Sequence, residues 1–299
     1  MSDEKFDIPF KSPTLPEMLA GKTRISFRCY KGISCFNACC KRADVTLAPY
    51  DVLRLKKRFG ISSEEFLKQY TVPFQMDQDG VPGLKMRTDE NGTCVMLDGD
   101  KGCGVYEDRP TVCRYYPVAL LNMRAKDSSQ AEESYSLIQE DHCKGHLEER
   151  EISIDDYRAE QGCKEYDDRN RDWYRLILKK KSAGPGVGRP SEMSLQLFFM
   201  ASYNLDMFRR FVLSDNFRKT YQLNDTFFEA VENDDLILMD FGFQFMRQVL
   251  FGERTIEEAA DAWEKRVQER KDVWELRAQV TIEKKRQEED EKYSGASEN

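Results

Sequence analysis

The sequence predicts an α+β fold that is predominantly helical, with a small cysteine-rich N-terminal domain containing short strands and an all-helical C-terminal half. Three observations predict it. All nine cysteines lie between Cys29 and Cys163. Glycines punctuate short apolar pieces through residues 71–125, whereas beyond Glu192 the apolar residues recur at helical spacing. Between the two regimes, residues 182–191 (SAGPGVGRPS) read as a linker.

The chain has 299 residues, enough for one large domain or two modest ones, each with its own core. Its 18 Phe, 13 Tyr and 3 Trp argue against global disorder. No apolar run approaches the roughly 18 residues of a membrane span. The acidic start, Met1 to Asp7, lacks the apolar stretch of a secretory signal. A cytoplasmic protein with no membrane partner is the expectation, and a net charge of −8 argues against a nucleic-acid surface.

Residues 1–24 read as a loosely structured lead-in, interrupted by Pro9, Pro13 and Pro16. Residues 25–181 are expected to form the cysteine domain with a trailing helix. Within it, Ile25 to Cys40 is a loop or short-strand region. Thr46 to Phe59 reads as a helix capped by Thr46, with Pro49 in its first turn and Gly60 as its stop. Ser62 and Glu65 make a capping box for a second helix whose apolar side is Phe66, Leu67 and Tyr70. Short antiparallel strands follow, among them Thr93–Leu97 and Val118–Met123, then a loop at Lys126–Glu133 and a strand at Ser134–Ile138. Ser153 starts a helix that runs through Tyr157, Tyr166, Trp173 and Ile177 to Lys181.

The linker's Gly184, Gly186 and Gly188 follow no strand and lack a Gly-Lys-Ser/Thr ending, so a phosphate-cradling loop is the poorer reading. Residues 192–290 are expected to be helical, over Glu192–Leu213, Asp225–Phe251 and Thr255–Asp290, the last opened by a Thr255–Glu258 capping box. Met193, Met200, Met207, Met239 and Met246 read as core filler. Half of the net charge arises beyond Gly252, so the final helix reads as solvated or coiled-coil-like, ahead of a disordered tail at 291–299.

The cysteines fall into Cys29-x5-Cys35-x3-Cys39-Cys40 and Cys94-x8-Cys103-x9-Cys113, with Cys143 beyond. In a reducing cytosol, clustered thiols bind metal or do chemistry more often than they pair. Thiolate is a soft anionic ligand, and four suit zinc or the corners of an iron–sulfur cluster. Metal ligation outweighs disulfides, coincidental burial and metal-free redox thiols. Adjacent Cys39 and Cys40 are expected to point apart, serving two sites or leaving one as a buried thiol. Arg109 and Arg114 flank Cys113 and are expected to offset thiolate charge rather than merely pair with Glu107 and Asp108. Pro110 and Pro117 would stiffen that stretch. His142 and His146 are spaced i, i+4 beside Gly145, where a helix is disfavoured, and read as non-ligands.

The string Arg109-Pro110-x-x-Cys113-Arg114-x-Tyr116-Pro117, the upstream Cys35-x3-Cys39-Cys40 and the Gly60–Phe66 segment resemble the YkgJ-type cysteine-cluster family, to which zinc or iron chelation is ascribed. The Cys-rich region of flagellin lysine-N-methylase is similar to it. The resemblance covers roughly residues 25–147. It implies metal-ligand roles for Cys35, Cys39, Cys40, Cys94, Cys103 and Cys113, and extends to Cys29 and Cys143. Here the opening is spaced more widely than in the family, and Lys144 replaces the proline of a Cys-Pro-Gly. Cys163 matches no family ligand and reads as a packed or free thiol.

The preferred reading is a metal-binding protein with an iron–sulfur centre, [4Fe–4S], or zinc, in an electron-transfer or structural role. A lysine methyltransferase using S-adenosylmethionine is an alternative, but no Gly-rich nucleotide loop follows a strand. A zinc-stabilised adaptor that binds a protein partner through its C-terminal helices is another. The sequence singles out no catalytic residue, since both histidines share one loop.

Overall fold

The computed structural model describes residues 17–41, 43–124, 131–182 and 190–260, together with Ile282, Glu283 and Arg286. Strand β1 (Arg24–Ser26) leads into turns and a 3₁₀ turn at Ala38–Cys40. Strand β2 (Thr46–Leu47) precedes helix α1 (Pro49–Phe59), so Thr46 is not the expected cap. The reason lies inside the helix, where the Asp51 carboxylate accepts the Ala48 N–H at 2.8 Å and makes a cap from Thr46 unnecessary. Pro49 needs no N–H at that position, and Gly60 ends α1 in the left-handed conformation at φ 64°. Helix α2 (Ser63–Tyr70) starts on the expected box, with Ser62 Oγ accepting the Glu65 N–H at 3.2 Å and Glu65 Oε2 accepting the Ser62 N–H at 3.0 Å.

Strands β3 (Thr71–Gln75) and β4 (Pro82–Met86) complete a three-stranded antiparallel sheet, ordered β2-β4-β3. Strands β5 (Leu97–Asp98) and β6 (Gly102–Cys103) form a tight hairpin. The strand expected at Thr93–Leu97 shrinks to single bridges, Lys41 with Thr93 and Thr88 with Cys94, because this stretch pairs with two different segments. Helix α3 (Thr111–Tyr115) is followed by the hairpin of β7 (Val118–Arg124) and β8 (Ala131–Leu137). Residues 131–133 of the expected loop are therefore strand, and 126–130 lie outside the described residues. Strand β9 (Glu151–Ser153) pairs antiparallel with β1.

The helix expected from Ser153 to Lys181 is two helices, α4 (Ile154–Glu160) and α5 (Cys163–Ser182), parted at Gly162 with φ 66°. The helical half is likewise more divided than its periodicity suggests. Helix α6 (Glu192–Tyr203) gives way to α7 (Leu205–Val212) at Asn204, whose side chain accepts the Met207 N–H at 3.1 Å. A short α8 (Asp215–Thr220) went unpredicted. Helices α9 (Asp225–Asn233) and α10 (Asp235–Phe251) part at Asp234, which accepts the Leu236 N–H at 2.7 Å. Thr255 caps nothing. Its hydroxyl donates to Gln244 O at 2.9 Å, Ala259 N–H donates to Thr220 O at 2.8 Å, and Glu258 bridges Tyr221. These contacts fold residues 255–259 back on α8 and α10, where a helix cannot start. The lead-in to residue 16, residues 183–189 of the expected linker, the tail and most of the expected final helix lie outside the described residues.

Two cores organise the chain. The larger packs Leu53 and Leu55 of α1, Phe66 of α2 and Leu84 of β4 against Phe198, Phe208, Phe245 and Met246 of the helical half. The smaller joins Ile25, Phe27, Tyr115, Val118, Tyr135, Ile152, Ile154, Tyr157 and Cys163. Met200, Met239 and Met246 are buried as core filler, whereas Met193 and Met207 are exposed. Among the described residues, no helix is long and apolar enough to cross a membrane.

Polar contacts also tie the halves together. The buried Lys56 ammonium on α1 reaches Asp206 at 3.0 Å and Asp235 at 3.5 Å. Arg209 braces both carboxylates, and Asp206 accepts the Ser63 N–H at 2.5 Å. Removing one partner of such a network leaves buried charge uncompensated. Lys56→Ala should therefore destabilise the chain by about 3 kcal/mol, read as a lowered urea midpoint.

Candidate metal centre

Four stretches of chain carry five of the sequence-selected cysteines as neighbours, Cys39, Cys40, Cys94, Cys103 and Cys113. The first is the 3₁₀ turn at Ala38–Cys40, which carries Cys39 and Cys40. It is entered through Asn37 in the left-handed conformation at φ 65°, and the Asn37 amide donates to Gly99 O at 3.3 Å. Cys94 N–H donates to Cys40 O at 2.8 Å, which sets Cys94 beside the turn. The β5–β6 hairpin pairs Leu97 with Cys103 and presents Cys103 to the same place. Cys113 comes from α3, whose first residue is anchored by Asp51. Thr111 N–H and Oγ1–H both donate to Asp51 Oδ1, at 2.9 and 2.7 Å.

Cys29, Cys35 and Cys143 meet along a second seam. Arg28 N–H donates to Gly145 O at 3.1 Å, and a Cβ on Gly145 would fall 2.6 Å from the Phe27 ring, so this close approach requires glycine. Lys144 N–H donates to Cys35 Sγ at 3.2 Å, which places Cys35 against the Cys143 turn. Cys29 and Cys39 are exposed, and the other six site thiols are partly buried. Cys163 is fully buried in the smaller core, consistent with its reading as a packed thiol.

The thiols act on one another. Burial pushes Cys29 up to about 11, reinforced by Cys39, Cys35 and Cys143 and opposed by Arg109. Cys113 is raised by burial and then by Cys94, Cys103 and Cys39. Burial also raises Cys94 and Cys103, against amide donors two residues further on, Met96 N–H and Val105 N–H respectively. Cys39 and Cys40 are adjacent on the 3₁₀ turn. The two thiols act strongly on each other, which lowers Cys39 and raises Cys40. Among the described residues, no three His, Cys, Asp or Glu side chains stand at the spacing of ligands on one ion, so these thiols are neighbours within electrostatic reach.

The two arginines have different work. Arg109 is buried, stacks over Tyr106 at 4.1 Å, donates to Gln161 Oε1 at 2.6 Å, and its charge acts on Cys29 and Cys103. Arg114 is held by backbone carbonyls, reaching Arg109 O at 3.1 Å, Gln161 O at 2.8 Å and Glu107 O, and it stacks on Tyr166 at 4.1 Å. Neither pairs with Asp108, whose carboxylate takes Arg54 and Arg58. His146 Nε2 lies 3.0 Å from Ile138 O and its ring packs on Phe27, while His142 faces Glu140 at 3.6 Å.

Sequence reasoning missed four participants: Asp51, Gln161, Glu140 and Tyr116. Glu140 acts on Cys39, and its carbonyl accepts the Cys143 N–H at 2.9 Å. Tyr116 Oη is buried without a partner in good hydrogen-bond geometry, and the groups beside it are the Cys143 thiol and Glu140. The motif string already contained Tyr116, which was a signal. The other three have none in local sequence.

Residues 28–144 match the model of the CxxCxxCC family, described as a "putative zinc- or iron-chelating domain". No curated protein and no solved structure matches the chain.

Burial pushes the Asp51 carboxyl up from its ordinary 3.8 to about 6, against the pull of Thr111, Ala48 and Arg114. A carboxyl raised on folding binds its proton more tightly in the folded chain, so its contribution is fullest below 3.8 and falls as pH rises to about 6. Asp51→Asn should flatten the stability profile across that window. At pH 7, Asp51→Ala should cost about 2 kcal/mol through orphaned N–H donors. Urea midpoints measured from pH 4 to pH 7 check both.

Proposed function

We propose that this cysteine-cluster domain holds a thiolate-ligated metal centre, an iron–sulfur cluster in preference to zinc, in an electron-transfer or structural role. One observation carries the reading: thiols from separate stretches of chain lie within electrostatic reach of one another, and the Lys144 N–H donates to Cys35 Sγ at 3.2 Å. Cys29, Cys35, Cys39, Cys40, Cys94, Cys103, Cys113 and Cys143 would hold the metal. The donor set fits, because it is all thiol and both histidines are turned to other partners. The sulfur-directed Lys144 amide and the Arg109 charge favour a cluster, since such surroundings set a cluster's potential.

When bound, a cluster would supply one-electron chemistry. The chain's own part is to limit water at the partly buried thiols, direct N–H groups at sulfur, and hold Arg109 beside Cys29 and Cys103 through Gln161.

Anaerobically purified protein should be brown, with broad visible absorption bleached by dithionite and an EPR or Mössbauer signature of the cluster. Colourless protein with stoichiometric zinc would count against iron and leave the thiolate centre standing. Cys113→Ser should lower bound metal and destabilise residues 25–147 far more than Cys163→Ser. Equal metal content in the two variants, read by mass spectrometry, would refute the assignment.

A further inference from the structure

Resting on the reading above, we propose that the surface around the exposed Cys29 and Cys39 is the docking site of an acidic one-electron carrier protein, held by Arg28, Lys31, Lys41 and Lys144.

The charge pattern begins in the sequence. From Met18 to Ala43 the chain carries Lys22, Arg24, Arg28, Lys31, Lys41 and Arg42 and no acidic residue, in a protein whose net charge is −8. The fold gathers part of this stretch around thiols. Arg28 adjoins Cys29, Lys41 adjoins Cys40, and Lys144 adjoins Cys143. Arg28 N–H donates to Gly145 O at 3.1 Å, Lys144 N–H to Cys35 Sγ at 3.2 Å and Lys41 N–H to Ala38 O at 3.1 Å, so the three segments share one patch. Arg28, Lys31, Lys41 and Lys144 are exposed there, as are Cys29 and Cys39.

Among the described residues, none of the four cations is in a salt bridge. Arg28 lies over the Tyr30 ring at 4.9 Å, and Lys144 Nζ donates to the Asp141 carbonyl oxygen at 2.9 Å rather than to a carboxylate. Surface cations elsewhere pair within a few residues, Lys101 with Asp98 at 3.2 Å and Arg175 with Asp172 at 3.1 Å. Offsetting thiolate charge does not account for the four. Water screens an exposed ammonium, and a buried guanidinium, Arg109, already stands in the cysteine motif. Unpaired surface charge of one sign instead steers a partner of the opposite sign.

Apolar groups select the class of partner. Tyr30, beside Cys29, is 40% exposed, and Leu147, whose N–H donates to Lys144 O at 3.0 Å, is 78% exposed. Aromatic and aliphatic groups inside a charged rim make a protein-binding patch, whereas a phosphate backbone has no use for Leu147. Small, charge-steered contacts are those of electron-transfer pairs. In the docked pair one electron leaves the carrier, which is oxidised, and enters the centre, which is reduced. No bond or proton moves.

The probe is a plant-type [2Fe–2S] ferredoxin, an acidic carrier, titrated by calorimetry into the anaerobically purified full chain. Binding should weaken about tenfold between about 25 and about 200 mM salt. Lys31→Glu combined with Lys144→Glu should weaken it about tenfold at low salt and leave bound metal unchanged. Lys219→Glu, in the helical half, should change neither. Carbodiimide, which couples amines to carboxylates in contact, should join the ferredoxin to Lys31, Lys41 or Lys144. This map is made on unmutated protein, so it decides even should the double variant fail to fold. No binding at low salt, equal affinity in the double variant, or metal lost from it overturns the docking surface. So does tighter binding of duplex DNA or phosphatidylserine vesicles through the same lysines. Colourless protein that still binds ferredoxin there overturns the iron reading alone, and brown protein that ignores it overturns the docking surface alone.

Discussion

A single buried carboxylate, that of Asp51, sets the frame on which the rest depends. One oxygen replaces the missing N-terminal cap of α1, and the other holds both donors of Thr111 at the start of α3. The neighbouring turn of α1 is fixed to α5, because Tyr50 N–H donates to Asn170 Oδ1 at 3.0 Å. Helix α1 is thereby pinned to α3 and α5 through groups that have no water to fall back on. A full charge in that position is expensive, and three N–H or O–H donors converge to keep it tolerable. Cys113 lies two residues beyond Thr111, so its place is an outcome of this anchor.

The double arginine of the cysteine motif is explained by the same logic. Arg114 folds back on three carbonyls and stiffens the 107–114 stretch, and this fixed stretch lets Arg109 reach toward thiols on other segments. Lysine could not serve at Arg114, because three carbonyls in different directions need a planar fork with several donors.

What could be read from sequence follows the range of each interaction. The Ser62–Glu65 box is complete within four residues and was legible. So were the general alternation of short strands and helices and the packed character of Cys163. The Thr46 cap was misread because its substitute, Asp51, lies inside the helix and gains its worth from Thr111, far along the chain. The breaks at Asn204 and Asp234 were hidden by apolar periodicity that continues across them. Residues 255–259 carry a plausible capping pattern, yet their backbone is claimed by α8 and α10. Spacing listed the cysteines but not their neighbours, since Cys40 meets Cys94, and Cys35 meets the Cys143 turn, only through tertiary hydrogen bonds.

The Lys56 network has a consequence for how the chain comes to be folded at all. Its ammonium and the Asp206 carboxylate are 150 residues apart in sequence, and the larger core spans the same interval. During synthesis, α1 and α2 emerge with an apolar face and a cation whose partners have not yet been made. Closure of that core must wait until α7 and the start of α10 have left the ribosome, a late, long-range step of the kind that slows folding and exposes the chain to aggregation. The cysteine stretches are complete well before that point, so their assembly takes place on a nascent chain whose main core is still open.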